Sequence, residues 1–297
     1  MVIDVHVHPA FYDPICEDPQ RVDTRKKVMG YDLMSPFPLE LVEKQMAFAG
    51  VDKLVLLGED CAAEDGAVLS NEEISRIVSL DPNRFIGFAT VDPNRPDALN
   101  RLRHAFETLK LRGLKLHPSK QQFYPNDPKL FPIYELCLSY NVPITFHCGM
   151  SWQPNTYLKY AHPYLFEDIA VRYPELRINL AHFGFPWVLE TAALILKYPN
   201  VYADTSCCYM DCPEQFFEQL FFKLMIDFGD CLRSANIVAT APQHPAVGIQ
   251  HLFFILNHKD KRFLFIHIFM TPPPEVRRTP EFPHLLGFSA IFCRRGQ

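Results

Sequence analysis

The chain reads as an α/β protein of the (β/α)8 class, a distorted TIM barrel with an irregular C-terminal end. Three observations predict it. Short β-branched runs alternate with helical stretches, the pattern of a parallel sheet built from βαβ units. Up to eight such units can be counted, the number that closes a barrel. Histidines end four of the strands, and a barrel gathers its C-terminal strand ends at one mouth. At 297 residues and 48% apolar, the chain has material for one such core or for two ordinary domains.

The expected strands are Val2–His8, Lys53–Leu57, Phe85–Val91, Gly113–His117, Val142–His147, Arg177–His182, Val201–Thr205 and, more weakly patterned, Asn236–Thr240. Between them, Leu39–Gly50 carries Leu41, Met46 and Phe48 and stops at a glycine, as helices often do. Asn71–Leu80 opens on an Asn followed by acids, a helix start. Pro96–Leu109, Pro128–Tyr140, Pro163–Tyr173, Pro186–Tyr198 and Pro213–Met225 each begin with Pro, which suits a first helical turn.

Two regions break the rhythm. Phe11 to Pro38 is long for a βα connection and lacks periodicity. In a barrel it would lie over the mouth, either as a lid offering Arg21, Arg25 and Tyr31 to a substrate or as a solvated insertion. Beyond about Lys259 the text departs from a closing helix, with Pro272-Pro273-Pro274 in place of helical spacing. The organisation expected is therefore a barrel over residues 1–258 and an atypical tail over 259–297. A replaced C-terminus and a shifted reading frame both account for that tail.

Composition narrows the function. A net charge of -5, from 29 Lys+Arg against 34 Asp+Glu, carries no block of like charge, so neither nucleic acid nor a membrane surface is expected as partner. A small molecule is the default ligand. No leader precedes strand one and no apolar run approaches the ~18 residues that span a bilayer, so a cytoplasmic protein is expected. Nine cysteines without paired CxxC spacing fit reduced thiols. The cluster Cys207, Cys208, Cys212 is a poor zinc knuckle, because adjacent residues on a strand point to opposite faces.

Asp4-Val5-His6-Val7-His8 places two imidazoles on one strand face. They are half of a divalent-metal site, or else a half-polar face packed under a loop. Lys115 and His117 share a face in Gly113-Leu114-Lys115-Leu116-His117-Pro118, so both are candidate substrate contacts, with Arg21 from the long connection. Lys115 is expected to pair with an acid rather than to be carboxylated. His147 and His182 each stand two residues before a glycine, which would let backbone approach a ligand. A buried structural histidine is the competing reading for each.

Together these segments, with Asn200-Val201-Tyr202-Ala203-Asp204-Thr205-Ser206, resemble the amidohydrolase superfamily, in its amidohydrolase-related branch of decarboxylases and lactonases. The resemblance runs from about Val2 to about Met225. It implies a divalent metal, zinc foremost and manganese as the other candidate, held by His6, His8 and His147, with His182 polarising the substrate or orienting water. It also implies hydrolysis of a small carboxylated, lactone or amide substrate. Non-oxidative decarboxylation of an acidic aromatic or muconate-like compound is the first alternative. A metal-binding relative without catalysis is the second. A homodimer is expected by analogy alone.

One part of the pattern is not found in good order. The family ends strand eight with an Asp that binds metal and shuttles a proton. Reading Asn236–Thr240 as that strand puts Thr240 in its place, and a hydroxyl cannot replace that base. Aligning Phe228-Gly229-Asp230 instead keeps Asp230 as the catalytic acid but gives it no strand. Asp204 reads as architectural, and Asp4 as an anchor of the first strand.

Overall fold

The computed structural model describes residues 1–29, 31–61, 66–151, 153 and 155–207, with backbone strands at 253–258, 262–267 and 291–292. In chain order the elements are β1 (Ile3–Val7), α1 (Pro19–Met29), α2 (Leu39–Ala49), β2 (Lys53–Leu57), β3 (Glu59–Cys61), β4 (Gly66–Leu69), α3 (Asn71–Leu80) and β5 (Phe85–Thr90). Then follow α4 (Ala98–Glu107), β6 (Leu114–Leu116), α5 (Pro118–Gln121), α6 (Phe131–Ser139), β7 (Ile144–Phe146), α7 (Glu167–Arg172), β8 (Ile178–Leu180), α8 (Val188–Lys197) and β9 (Val201–Ala203). The last three are β10 (Phe253–His258), β11 (Arg262–His267) and β12 (Ile291–Phe292).

Strands β1, β2, β5, β6, β7, β8 and β9 pair in parallel and in chain order, the sheet of a TIM barrel. Register explains the division of faces. Leu114, Ile144, Ile178 and Val201 lie in one row, and Leu116, Phe146, Leu180 and Ala203 in another, all buried in the main core. Between those rows Lys115, Thr145 and Asn179 sit side by side, a polar layer on the opposite face. The sheet curls far enough for a side chain just beyond β9 to hydrogen-bond one on β1, His6 to Asp204 at 3.0 Å.

The structure corrects the sequence expectation in several places. Phe11 to Pro38 is not irregular: it folds a 3-10 turn at Asp13–Ile15, helix α1 and a bridge between Tyr12 and Phe37. Its anchor is Arg25, fully buried, whose guanidinium donates to the carbonyls of Ala10 (3.1 Å) and Ile15 (2.8 Å) and to Glu73 (2.5 Å). Glu73 in turn closes a capping box with Ser70 at the start of α3. The β3–β4 hairpin after β2 was not expected, since Glu59-Asp60-Cys61 is short and polar. Farther along, β10 and β11 form an antiparallel hairpin in which His258 pairs with Arg262, and β12 adds antiparallel to β1. The helix Pro213–Met225, the strand Asn236–Thr240, Thr240 itself and Asp230 lie outside the described residues.

The two glycines expected to admit a ligand serve the scaffold instead. Gly149 has φ 88°, and a Cβ there would lie 2.2 Å from the Phe185 carbonyl oxygen. Gly184 has φ 63°, with Thr191 Oγ1 at the same 2.2 Å from such an atom. They let the loops after β7 and β8 touch, and Met150 N donates to Phe185 O at 2.6 Å. Gly149→Ala is expected to destabilise the protein by at least about 2 kcal/mol in urea denaturation, from left-handed strain and overpacking together. A variant as stable as the parent would show that these loops do not meet.

Candidate metal centre

Strand β1 is bulged where it matters. Asp4 pairs with Leu54 and Val7 with Leu56, so β1 spends three steps where β2 spends two. Such irregularities re-aim side chains beside sites. His6 and His8 emerge with ring centroids 5.3 Å apart. His6 lies 5.0 Å from His182, His182 lies 4.8 Å from His147, and His147 stacks on His117 at 3.9 Å and 9°. The structure therefore brings five imidazoles, from the ends of β1, β6, β7 and β8, into one contiguous chain of rings.

Hydrogen bonding separates their roles. His6 Nδ1 donates to Asp204 Oδ2 at 3.0 Å, His8 Nδ1 to the Leu57 carbonyl at 3.2 Å and His182 Nδ1 to the Ser206 carbonyl at 2.7 Å. Each ring is thereby held in the tautomer that leaves the Nε2 lone pair free, as metal-ligating histidines are. His117 is the reverse: its Nδ1 accepts from Lys120 N at 3.3 Å, which puts its proton on Nε2. It offers a donor, not a ligand atom. His147 Nε2 is buried and has no hydrogen-bond partner among the described residues.

Asp204 is the hub that the sequence reading treated as architecture. It is buried and accepts from His6, from Asn179 Nδ2 (2.8 Å), from the backbone N–H of His182 (3.2 Å) and Ser206 (3.2 Å), and from the Ser206 hydroxyl. Donor atoms of His6, His182 and Asp204 all lie within 4.8 Å of one another. With so many hydrogen bonds already accepted, Asp204 is better placed to orient His6 than to bind an ion itself. It also holds a strained segment, since His182 (φ 60°) and Phe183 (φ 49°) are both left-handed. Phe183 N donates to the Asp204 carbonyl at 2.7 Å.

Electrostatics keeps the rings neutral. Burial, then the neighbouring His6, pushes His182 down to about 3, while burial and adjacent histidines and lysines hold His8, His117 and His147 well below their usual value. Burial also lowers His6, against the pull of Asp204. For Asp204, burial opposes the charge, but the His6 imidazole and the hydrogen bonds from His6 and Ser206 outweigh it and hold the carboxyl well below its usual range. Neutral imidazoles are the form that ligates metal.

The other predicted contacts divide. Lys115 and His117 face one small cavity together with His8, Glu59, Asp60 and Gln121. Among the described residues Lys115 makes no ion pair with the acid expected for it, because Glu59 is taken by Lys120 and Asp60 by Arg95. Arg21 is placed elsewhere: it is part exposed on α1 and forks onto Glu73 at 3.0 and 2.9 Å, since the ordered helix turns it toward α3. Sequence reasoning quoted Asp204 and Ser206 in a motif without giving them a site role, and it missed Glu59, Lys120 and Gln121. The first two carried a usable signal, lying at a strand end as the histidines do.

The donor set fits a divalent cation: neutral imidazoles, an orphaned buried Nε2 and a carboxylate behind them. Barrel and centre define a class, the parallel-barrel proteins that collect imidazoles from separate strand ends around a metal. The model of the amidohydrolase family matches residues 3–254, and the chain belongs to that family. A curated relative, the 2-amino-3-carboxymuconate-6-semialdehyde decarboxylase of Dictyostelium discoideum, is 26% identical over 145 residues, covering 43% of this chain and 40% of the relative. The match thus spans well under half of that protein. Among solved structures, an uncharacterized TIM-barrel protein of Bordetella bronchiseptica superposes at TM-score 0.59 and 21% identity, over 79% of this chain and 81% of its own. The 2,6-dihydroxybenzoate decarboxylase of Rhizobium does so at 0.52 and 14%, over 76% and 84%. These two likenesses concern the fold. No helix among the described residues is long and apolar enough to cross a membrane.

Two outcomes are expected. Asp204→Asn should weaken zinc binding by about 10–100-fold in a chelator competition, because the orienting acceptor of His6 is lost. Affinity at the parent value would remove Asp204 from the centre. The second concerns the ion-free protein. Its histidines have folded pKa values below the unfolded ~6.5, so the stability they contribute is present above that pH and is lost as pH falls from 6.5 toward about 3. The melting temperature of chelator-treated protein should therefore drop between pH 7.5 and pH 5, and an unchanged value would mean that the imidazoles are not buried neutral.

Proposed function

We propose that the chain is a divalent-metal enzyme acting on a small carboxylated molecule, and that non-oxidative decarboxylation is the reaction its geometry supports best. The observation behind the metal reading is that His6, His8 and His182 are each anchored through Nδ1 while His147 Nε2 is buried without a partner. A cation held there supplies Lewis acidity toward a carboxylate or neighbouring oxygen of the substrate. Zinc and manganese both suit imidazole ligands.

The choice between reactions rests on the carboxylates. Hydrolysis calls for a base to take the proton of water, yet among the described residues the carboxylates nearest the imidazoles, Asp204, Glu59 and Asp60, are all engaged by donors. Decarboxylation needs no such base: the bond from carbon to the carboxylate breaks, its electron pair stays on the substrate, carbon dioxide leaves, and water delivers the proton and gives its hydroxide to the solvent. The curated relative's name supports this reading. Hydrolysis of a lactone or amide is the second reading, supported by the family to which the chain belongs. Free thiols at all five described cysteines support a cytoplasmic setting.

The test is the metal content of protein purified without added ions, followed by turnover of a carboxylate panel that includes 2,6-dihydroxybenzoate, and of a lactone panel. Carbon dioxide release that disappears with chelator and returns with zinc or manganese is expected. His6→Ala should remove both the ion and the activity. Lactone opening without carbon dioxide release would establish the hydrolytic reading, and a fully metal-loaded protein inert on both panels would overturn both.

A further inference from the structure

The cavity beside the imidazoles holds an unbalanced charge. Glu59, buried, accepts from Lys120 Nζ, and Asp60, buried, accepts from Arg95 Nε and Nη2 at 3.0 Å each. Gln121 fixes both walls, donating to the carbonyls of Asp60 (2.6 Å) and Val91 (2.9 Å). Each acid therefore has its own cation. Lys115 is the one left over: it is 3% exposed, it lines the cavity, and among the described residues it has neither a hydrogen bond nor an ion pair. Asp204 and Glu59 reach it only through space.

A buried ammonium without an acceptor is unfavourable, and an anion from outside relieves it. His117, two residues on and lining the same cavity, presents Nε2–H, since its Nδ1 is occupied by Lys120 N. An ammonium and an N–H donor that line one cavity can both donate to a carboxylate. The free volume is about 10 Å³, room for one water-sized group, so it admits a single oxygen of an incoming anion. The cavity is lined by His8 and His117 and not by His6, His147 or His182, which sets it to one side of the candidate metal centre, with His147 stacked on His117.

We propose that Lys115 and His117 form a subsite for a carboxylate that the substrate keeps throughout the reaction. The substrates are then small acids with an anionic group separate from the bond that breaks. This rests on the reading of the imidazole cluster as the reaction centre.

Calorimetric titration of the full chain with benzoate and with benzamide, its neutral isostere, tests it. Benzoate is expected to bind at least about tenfold more tightly, both in zinc-loaded and in chelator-treated protein. Lys115→Met is expected to abolish that preference and leave zinc content at the parent value. Equal binding of the two probes, no saturable benzoate binding at millimolar concentration, or a preference that survives Lys115→Met overturns the subsite. Should Lys115→Met fail to fold, the parent chain decides: benzoate must protect Lys115 from reductive methylation, read by mass spectrometry, and lack of protection overturns the proposal. Benzoate preference in a chain that takes up no zinc keeps the subsite and overturns the metal reading, whereas zinc uptake without the preference does the opposite.

Discussion

The carboxylate of Asp204 is the point on which the centre turns. It sits just past β9 and takes donors from β1, β8 and its own loop, so His6, 198 positions away in sequence, shares one pair of oxygens with near neighbours. That bond draws one side of the parallel sheet toward the other. It also decides which nitrogen of His6 keeps a proton. Curvature of the scaffold and chemical state of the imidazole are thus set by a single buried group.

Around that point the molecule confines charge with care. Five imidazoles in contact would repel if protonated, and burial keeps them neutral. Two buried acids are each coupled to a cation, Glu59 to Lys120 and Asp60 to Arg95, both acids on the short hairpin that follows β2. Arg25 plays the same part farther out, tying the first connection to the start of α3 through Glu73. Against this background Lys115, buried and without an ion-pair partner among the described residues, stands out as an opening for an anion.

Much of the scaffold was legible because hydrophobic runs and helix starts are local signals. Lys53–Leu57 and Asn71–Leu80 match the observed β2 and α3 residue for residue. Other strands proved shorter at their C-terminal ends, since residues such as His117, His147 and His182 leave the ladder to enter the site. What escaped notice depends on distant partners. Helix α1 has little amphipathic pattern, and its order comes from a buried guanidinium bound to carbonyls elsewhere. Lys115 could be placed on the right face by alternation, but whether it had an acid beside it depended on Lys120 and Arg95 claiming Glu59 and Asp60 first. Arg21 looked available only while its segment was taken to be loose.

The left-handed pair at His182 and Phe183 shapes what this lineage can become. Glycine and, to a lesser degree, asparagine occupy such backbone readily, whereas an imidazole there is tolerated at an expense of roughly 1–2 kcal/mol. Substitution toward glycine would therefore relax the main chain while erasing a ring from the cluster. Selection for robustness and selection for chemistry pull in opposite directions at this codon, so descendants that abandon turnover have an easy path out and a difficult return.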